Sequence, residues 1–515
     1  MSMLKNALIA SILTLLTPTL YAQENAVSAD KRPNVLFIMG DQHRYDCLGV
    51  AGNPDVKTPN LDSIAEDGVH YSNTYCSYPV CTPARYSLLS GVPVHEHCGW
   101  SNHATPCEGT PMYPRILREN GYRTKAVGKM HFTPTYLDLG FSEMLLAEQN
   151  GPGRWDDDYH RYLKAEGLTD VNDLEDQERN YRDEARDNYW ETFGALTSNL
   201  PEEYHSTTWI GDRAVEDLAT WEGGGNLLKV SFIKPHHPFD PPEPWDKMYD
   251  PKALTILPGW TGECFERDLA RGRGYFHNDT LTKEALKRCM AYYYATISQI
   301  DHQIGRMIQT LKDNGLYDNT LILYTSDHGE YLGYHHLLLK GNYMYEPVVR
   351  IPLVIKYPNS DRKGEESTQF VSNVDLAPTI LKACGFDPAP EMEGVDLGKN
   401  SKGHDKIFVE QGPYDVMVRD RRYKLIHTDQ KDRVSMFFDL EKDPLEMVDL
   451  YDDQEYAEKI AEFEQAIQDW RGVDTFKNHV DEFAPVIDQP NVPDRGDGHR
   501  EEMQKYFAEG MKKKE

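Results

Sequence analysis

The chain has 515 residues, 39% of them hydrophobic, which is enough to bury a large core and predicts a globular protein rather than a disordered one. Its formal net charge of −29 argues against nucleic acid as a partner, because phosphate binding relies on clustered lysine and arginine. Eight cysteines are too few for a disulfide scaffold at this length, although an exported chain can pair some of them.

The amino terminus has the pattern of a secretory signal. Lys5 precedes an apolar run over residues 7–16, and the small residue Ala22 precedes a polar stretch. We therefore predict a signal peptide over residues 1–22 and an exported protein that is periplasmic or secreted. No later stretch has the length and apolarity of a membrane-spanning helix, so we expect no membrane span.

Two apolar strands deliver polar pairs at their carboxyl ends. The first strand, residues 34–39, is followed by Asp41 and Gln42. The second, residues 320–325, follows a long amphipathic helix and is itself followed by Asp327 and His328. Continuous apolar strands are typical of parallel sheets, and open α/β sheets bind ligands at the carboxyl ends of their strands. We expect both pairs to lie in one site.

The rest of the chain suggests how the molecule is divided. Residues 150–204 form an acidic, aromatic insertion, read as a solvated helical cover or, alternatively, as a platform for sugar rings. From residue 404 the pattern changes to short alternating strands and one helix. We predict an α/β catalytic domain over 33–403, an α+β subdomain on an antiparallel sheet over 404–475, and a surface-bound or partly disordered tail over 476–515.

One pentapeptide carries the strongest chemical signal: Cys81-Thr82-Pro83-Ala84-Arg85. Proline is tolerated in the first turn of a helix, so the motif predicts a helix start. A nucleophile there faces unpaired N–H groups and the positive end of the helix dipole, which favour an oxyanion or a sulfate. Arg85 adds a permanent cation. The alternative is a structural thiol, or a disulfide with the nearby Cys76.

This pentapeptide resembles the signature of type I sulfatases, members of the alkaline phosphatase superfamily, and the resemblance extends from about Pro33 to Leu450. It implies a large mixed sheet flanked by helices, with the smaller C-terminal α+β subdomain. Two positions depart from the common pattern, because Gln42 stands where many sulfatases have Asp and His328 where many have Asn. Both variants resemble subgroups that include polysaccharide sulfatases, choline sulfatase and phosphonate monoester hydrolases. Other matching stretches are Gly128 to His131, Lys234 to Phe239, Thr325 to Lys340, Val374 to Thr379 and Phe438 to Glu446.

The resemblance also implies a modified nucleophile and a metal. Cys81 would be oxidised to formylglycine by a formylglycine-generating maturation enzyme, and the hydrate of that aldehyde would attack sulfur and expel the alcohol. A plain serine could form the sulfate ester but could not release it by C–O cleavage. The oxygen-rich ligand set suits Ca²⁺, with Mg²⁺ and Mn²⁺ as alternatives. The ligands it implies are Asp41, Gln42, Cys81, Asp327 and His328.

The remaining catalytic roles also come from the resemblance. Lys129 and His131 are similar to the pair that holds and deprotonates the hydrate. His236 and Lys340 are similar to the pair that binds sulfate oxygens and assists the leaving alcohol. Arg85 is expected beside the nucleophile as its activator. His335 is expected on the substrate side of the pocket.

Three functional hypotheses follow. The first is an exported sulfatase acting on a sulfated carbohydrate, with the algal glycans ulvan and carrageenan favoured over glycosaminoglycans. The second is a phosphonate monoester or phosphodiester hydrolase of the same superfamily. The third is a non-catalytic protein that binds sulfated glycans, which would follow if Cys81 were never oxidised.

Overall fold

The computed structural model describes residues 31–149, 151–269, 276, 278–341, 343–398, 401–431, 433–472 and 499–512. The predicted signal peptide lies outside the described residues. None of the described helices is both long enough and apolar enough to cross a membrane.

A nine-stranded mixed sheet forms the centre of the molecule, and a separate sheet of four antiparallel strands follows it in the chain. The large sheet has the order β4-β3-β5-β1-β6-β8-β2-β7, with β9 paired to β2. Its strands are β1 (Asn34–Gly40), β2 (Val69–Tyr75), β3 (Arg123–Gly128), β4 (Glu143–Leu146), β5 (Asn226–Ser231), β6 (Thr320–Ser326), β7 (Arg350–Ile351), β8 (Leu353–Lys356) and β9 (Glu365–Ser372). The smaller sheet contains β10 (Ile407–Gln411), β11 (Asp415–Arg419), β12 (Tyr423–Thr428) and β13 (Met436–Asp439).

Helices cover both faces of the large sheet. In chain order they are α1 (Pro59–Glu66), α2 (Cys81–Ser90), α3 (Val94–His97), α4 (Tyr113–Glu119), α5 (Gly151–Asp156), α6 (Asp158–Ala165), α7 (Val171–Gln177), α8 (Arg179–Arg182), α9 (Asp187–Glu191), α10 (Ser206–Leu218), α11 (Glu266–Leu269), α12 (Lys283–Asp313), α13 (Glu346–Val349), α14 (Leu376–Ala383), α15 (Ala457–Arg471) and α16 (His499–Lys512). The long helix predicted over 279–314 is α12, which begins after a Thr282 side-chain cap.

The alternation of side chains along β1 explains why its sequence is apolar throughout. Val35 and Phe37 belong to the core on one face of the sheet, whereas Leu36 and Ile38 belong to the core on the other face. Both cores are buried, so a strand between them has no solvent-facing side. The prediction of buried central strands is confirmed for β1 and for β6, in which every residue is buried.

The register of the central strands places the two polar pairs side by side. Strands β1 and β6 are parallel neighbours, with Gly40 opposite Ser326. The chain segments that leave these strands therefore start at the same edge of the sheet, and Gln42 N donates to Asp327 Oδ1 at 3.0 Å. The expected meeting of the two strand ends is what the structure shows.

The insertion over 150–204 is helical, but its acidic residues are less solvated than predicted. Asp157, Asp173 and Asp176 are buried, and they are paired with His160, Arg154 and His237, respectively. Its aromatic residues Trp155, Tyr159 and Tyr189 are buried as packing residues, which excludes them as a sugar platform. The composition of this segment predicted a surface, because two of its buried pairings, Arg154 with Asp173 and His237 with Asp176, join residues that are distant in sequence.

The chain ends in a docked helix. Met503 and Phe507 of α16 are buried against Trp155 and Leu174 of the insertion, and Arg500 forms an ion pair with Asp156. Part of the predicted surface-bound or disordered tail therefore contributes to the core of the insertion. Residues 473–498, which precede α16, lie outside the described residues.

Candidate active site

Four side chains converge where the strand ends meet helix α2. Ligand atoms of Asp41, Cys81, Asp327 and His328 all lie within 4.8 Å of one another, and all four residues are buried. Asp41 follows β1, Asp327 and His328 follow β6, and Cys81 is the first residue of α2. The structure thus brings together residues from three segments that are far apart in the sequence.

The orientation of His328 and Gln42 suits a cation at this point. Nδ1 of His328 lies 2.9 Å from the carbonyl oxygen of Gly329, which requires the proton on Nδ1, so that in the neutral ring the lone pair is on Nε2, 3.3 Å from Cys81 Sγ. The amide nitrogen of Gln42 donates to Glu330, whereas its buried Oε1 has no hydrogen-bond partner among the described residues. A buried carbonyl oxygen without a donor is a free metal ligand.

Arg85 donates hydrogen bonds to the carboxylates of both Asp41 and Asp327. Its Nε donates to Asp327 Oδ2 at 2.8 Å, and one terminal nitrogen donates to Asp41 Oδ2 at 3.0 Å. The other terminal nitrogen donates to the backbone carbonyl of Lys129 and to Ser231 Oγ. A planar guanidinium presents its donors in a rigid fork that fixes the orientation of both carboxylates, whereas an ammonium is a point charge on a flexible chain. Arg85 therefore fixes the ligands, whereas the sequence predicted it as an activator beside Cys81.

Cys81 occupies the start of α2 and is surrounded by cations. Its Sγ lies 3.1 Å from Lys340 Nζ and 3.6 Å from Asp41 Oδ1. Burial and Asp41 oppose ionisation, but Lys340 and Lys129 outweigh them and lower the pKa of the Cys81 thiol to about 5. The residue is in its unmodified form, so its Sγ marks the place where an oxygen of the oxidised side chain would lie. Cys76 faces the carbonyl of Val348 instead of Cys81.

Lys129 contacts the same carboxylate oxygen of Asp41 as Arg85 does. Its Nζ is 2.7 Å from Asp41 Oδ2 and donates a 3.0 Å hydrogen bond to Gln149 Oε1. Gln149 is anchored in turn, because its amide nitrogen donates to Asp173 Oδ1 and to the carbonyl of His237, each at 2.9 Å. The insertion over 150–204 thereby helps to hold one of the two lysines predicted to be catalytic.

His131 is positioned by Glu148, which the sequence did not single out. The Glu148 carboxylate accepts the backbone N–H groups of Met130 and His131, both at 2.9 Å, and His131 adopts a positive φ of 56°. Burial and then Lys129 lower the pKa of the His131 imidazole to about 3, so the ring is neutral at pH 7. Its Nδ1 has no partner among the described residues and is available as a base.

His236 and Lys340 complete the surroundings of Cys81. Nδ1 of His236 donates to the carbonyl of His237 at 2.6 Å, and the ring is hydrogen-bonded to the Cys81 thiol. Burial and then Lys340 lower the pKa of His236 to about 3, which keeps it neutral. Lys340 Nζ also lies 3.8 Å from Asp41 Oδ1. Arg85, Lys129 and Lys340 make a cationic pocket inside an acidic protein, as the sequence required of a site for an anionic group.

His335 does not reach this site, contrary to the expectation for a substrate-side residue. Its ring is fully buried and stacks on Tyr334. Nε2 pairs with the carbonyl of Leu445 at 2.8 Å, and Nδ1 faces Asp268 at 3.7 Å. The loop around His335 takes a positive φ, and this turns the side chain toward the C-terminal part of the chain. The prediction for His335 relied on its proximity in sequence to Lys340, which does not determine side-chain direction across such a turn.

The donor set fits a hard divalent cation. Asp41, Asp327 and the unpartnered Oε1 of Gln42 supply oxygens, and His328 supplies an imidazole nitrogen. The nearby Arg85, Lys129 and Lys340 lower the pKa of Asp41 despite its burial, so its carboxylate is ionised as a ligand must be. Four of the five expected ligand residues are thus assembled, whereas the part of Gln42 and the choice among Ca²⁺, Mg²⁺ and Mn²⁺ stay predictions.

Comparison with known proteins identifies the family. The sulfatase family model matches residues 33–386. This chain belongs to the sulfatase family. It is therefore a hydrolase of sulfuric esters, and its fold is the alkaline phosphatase-like fold predicted from the sequence. A second model, that of the N-sulphoglucosamine sulphohydrolase C-terminal region, matches residues 333–472 of this sulfatase.

Individual relatives agree with the family. The sulfatase is 30% identical to an arylsulfatase of Clostridium perfringens, covering 83% of this chain and 92% of that protein. It is 27% identical to an N-acetylglucosamine-6-O-sulfatase of Bacteroides thetaiotaomicron, over 85% of this chain and 86% of the relative. A solved phosphonate monoester hydrolase of Agrobacterium radiobacter shares the fold, with a TM-score of 0.70, 24% identity and coverage of 85% and 95% of the two chains.

Three buried residues of the site were missed by sequence reasoning. Gln149 holds Lys129, Glu148 holds the turn at His131, and Glu330 holds the amide of Gln42. Glu148 and Gln149 form an acid and amide pair directly after an apolar stretch, which is the same signal that identified Asp41 and Gln42. Glu330 lies two residues beyond His328, in the same polar stretch that follows the second apolar strand, so the position after that strand could have identified it.

Proposed function

We propose that this sulfatase hydrolyses sulfate esters of a carbohydrate with Cys81 oxidised to formylglycine and a divalent cation, Ca²⁺ by preference, held beside it. The observation that carries the proposal is the position of Cys81. Its thiol contacts Lys340 and His328, and Cys81 is the first residue of helix α2, at the positive end of the helix dipole. Sulfatases in general use formylglycine and a divalent metal, and the buried cluster at Cys81 has the ligands for one.

The side chains around Cys81 divide the work of binding and proton transfer. Lys129 and Lys340 flank the thiol position and can bind sulfate oxygens as negative charge develops. His131, neutral and with an unpartnered Nδ1, can accept a proton from the nucleophile. His236 is also neutral and is hydrogen-bonded to the Cys81 thiol. It can exchange a proton with the leaving alcohol. A divalent cation bound by Asp41, Gln42, Asp327 and His328 supplies further positive charge against the sulfate.

The carbohydrate part of the proposal rests on the relatives and on the sequence. One relative is named for an N-acetylglucosamine 6-sulfate ester, and the C-terminal match is named for N-sulphoglucosamine. The amino-terminal pattern supports export to the periplasm or the medium, where polysaccharides are degraded. We expect the substrate to be a sulfated polysaccharide or its oligosaccharides, and we would test ulvan and carrageenan before glycosaminoglycans.

The test compares two leaving-group-matched substrates. The enzyme would be produced together with a formylglycine-generating enzyme, and hydrolysis of an aryl sulfate and of the corresponding aryl phosphonate monoester would be measured. The shared fold of the phosphonate monoester hydrolase makes this the decisive pair. We expect a higher kcat/KM for the sulfate, and no release from either ester by Cys81→Ala. A clear preference for the phosphonate would overturn the proposal.

A panel of sulfated glycans then identifies the substrate class. Free sulfate released from ulvan, carrageenan and heparin-derived oligosaccharides would be measured by ion chromatography, with Cys81→Ala as the blank. Binding of these glycans without sulfate release, by protein whose Cys81 is shown by mass to remain an unmodified thiol after production with the maturation enzyme, would favour the non-catalytic binding hypothesis instead.

A further inference from the structure

Two cysteines outside the active site lie next to each other. Cys98 ends helix α3 and is buried, and Cys107 is half-buried in the same small hydrophobic cluster. The backbone N–H of Cys107 donates to the carbonyl of His97 at 2.9 Å, which draws the two ends of the segment 98–107 together. Both side chains are free thiols in the structure, and each is within hydrogen-bonding reach of the other.

The segment between these cysteines holds the helix that carries the nucleophile. Asn102 Oδ1 accepts the backbone N–H of Thr82 at 3.1 Å, in the first turn of α2. The carbonyl of Ala104 accepts the hydroxyl of Tyr86 at 3.1 Å. A loop that binds the first two turns of α2 affects the placement of Cys81.

We propose that Cys98 and Cys107 form a disulfide that clamps the segment 98–107 onto helix α2. This proposal rests on the exported location given under the proposed function, because a disulfide of this kind persists in an oxidising compartment. The bond would close a short loop. It would restrict the conformations of this segment both in the unfolded chain and in partly opened states of the folded protein. The clamp would stabilise the placement of the nucleophile helix without taking part in the reaction.

The chemistry is a thiol–disulfide exchange with an external disulfide as the oxidant, either a dithiol oxidase of the export compartment or oxidised glutathione. The Cys107 thiolate attacks one sulfur of that disulfide and forms a mixed disulfide, releasing the first thiol. The Cys98 thiolate then attacks the Cys107 sulfur and releases the second. Two protons and two electrons leave the pair, and the oxidant is reduced to two thiols. Hydrogen bonding from Cys98 lowers the pKa of the Cys107 thiol, which favours Cys107 as the first nucleophile.

The arrangement also separates this pair from the catalytic cysteine. Cys81 faces Lys340 and His328 inside the active site, and Cys76 faces the carbonyl of Val348. A disulfide between Cys98 and Cys107 would thus remove the two thiols of this segment from competition and leave Cys81 free for oxidation to the aldehyde.

Peptide mass spectrometry tests the proposal without any variant. Cys98 and Cys107 lie in one tryptic peptide, residues 86–115, which contains no other cysteine. The folded protein would be equilibrated with a mixture of reduced and oxidised glutathione, alkylated and digested. A disulfide lowers the mass of this peptide by about 2 Da and blocks both alkylations, because two hydrogens are lost. Cys264, a partly exposed thiol, reports the access of the reagents.

The outcomes are distinct. Loss of two hydrogens with no alkylation of residues 86–115, while the Cys264 peptide is alkylated, supports the clamp. Two alkylated thiols, or a glutathione adduct on Cys107 with Cys98 alkylated, overturns it. None of these results depends on sulfate release, so failure of the clamp and failure of the proposed enzymatic function are read separately.

Thermal inactivation gives the functional readout. We expect the oxidised enzyme to lose activity at a temperature several degrees above that of the reduced enzyme, with equal kcat at low temperature. The double variant Cys98→Ser/Cys107→Ser should behave as the reduced enzyme with or without dithiothreitol, whereas Cys264→Ser should respond to dithiothreitol as the wild type does. An equal inactivation temperature for the oxidised and reduced wild type would overturn the stabilising role.

Discussion

Lys129 Nζ is held between two acceptors, Asp41 Oδ2 at 2.7 Å and Gln149 Oε1 at 3.0 Å. The first acceptor belongs to the metal-ligand cluster and the second stands at the start of the insertion. Because Gln149 is itself anchored to Asp173 and to the carbonyl of His237, the position of Lys129 depends on the packing of the insertion against the sheet.

Replacing Gln149 with leucine should misplace Lys129 without unfolding the protein. We expect kcat to fall about 10- to 100-fold with a smaller change in KM, since loss of a positioning partner acts on charge stabilisation in the transition state. Steady-state kinetics with an aryl sulfate measures this. Gln177→Leu is the matched control, because Gln177 also donates to the carbonyl of His237 but the structure records no contact between it and Lys129. Equal losses in the two variants would contradict a specific role for Gln149.

Arg85→Lys should weaken metal binding as well as catalysis. A lysine lacks the rigid fork of donors through which Arg85 bonds Asp41 and Asp327, so the two carboxylates would be less well oriented. We expect about a 10- to 100-fold loss of affinity for the divalent cation, followed by titration calorimetry. Arg123→Lys is the control, since Arg123 also bridges two carboxylates but does so at the surface. Unchanged cation affinity in Arg85→Lys would refute the orienting role of the guanidinium.

Removal of divalent cations should abolish activity and lower the melting temperature. With Ca²⁺ at about 100 times its dissociation constant, binding to the folded state adds about 2.7 kcal/mol to the free energy of unfolding. Asp327→Asn should lose most of this response, whereas Asp318→Asn, which alters an exposed carboxylate, should keep it. Scanning calorimetry with Ca²⁺, Mg²⁺ and Mn²⁺ would rank the ions, and a chelated enzyme of full activity would exclude the metal site.

The lowered pKa of the buried Glu410 carboxyl predicts a specific pH dependence of the free energy of unfolding. Despite burial, His95 and then Arg471 lower the pKa of Glu410 from its ordinary 4.5 to about 2. A carboxylate with a depressed folded-state pKa stabilises the protein above its unfolded pKa, and the contribution is lost as pH falls from about 4.5 toward 2. The expected contribution at neutral pH is roughly 3 kcal/mol, because lowering a pKa by one on folding corresponds to about 1.36 kcal/mol.

Urea unfolding of Glu410→Gln checks this expectation. The free energy of unfolding should be lower than that of the wild type at pH 7, and the difference should shrink as the pH falls below 4.5. Glu462→Gln, which removes an exposed ion pair with Lys459, should change stability little at any pH. A difference for Glu410→Gln that does not depend on pH would show that its charge is not the cause.

The sequence by itself determined the central strands, the long helix, the motif at Cys81 and the meeting of the two strand ends. Each of these features produces a local sequence pattern: a continuous apolar run, helical spacing of apolar residues, or polar residues directly after a strand. Because parallel neighbours end at one edge of a sheet, Asp41 and Asp327 could be placed together from their positions alone.

Only the tertiary structure decided which side chains turn toward that edge and what holds them. His335 was expected at the substrate and is turned away, whereas Gln149 and Glu148 were not expected and hold Lys129 and His131. Asp173 and Asp176 of the insertion were predicted to be solvated, because their partners Arg154 and His237 are distant in sequence. The direction of a side chain at a positive-φ turn depends on tertiary packing, and so does the pairing of remote segments. A local sequence pattern therefore predicts neither.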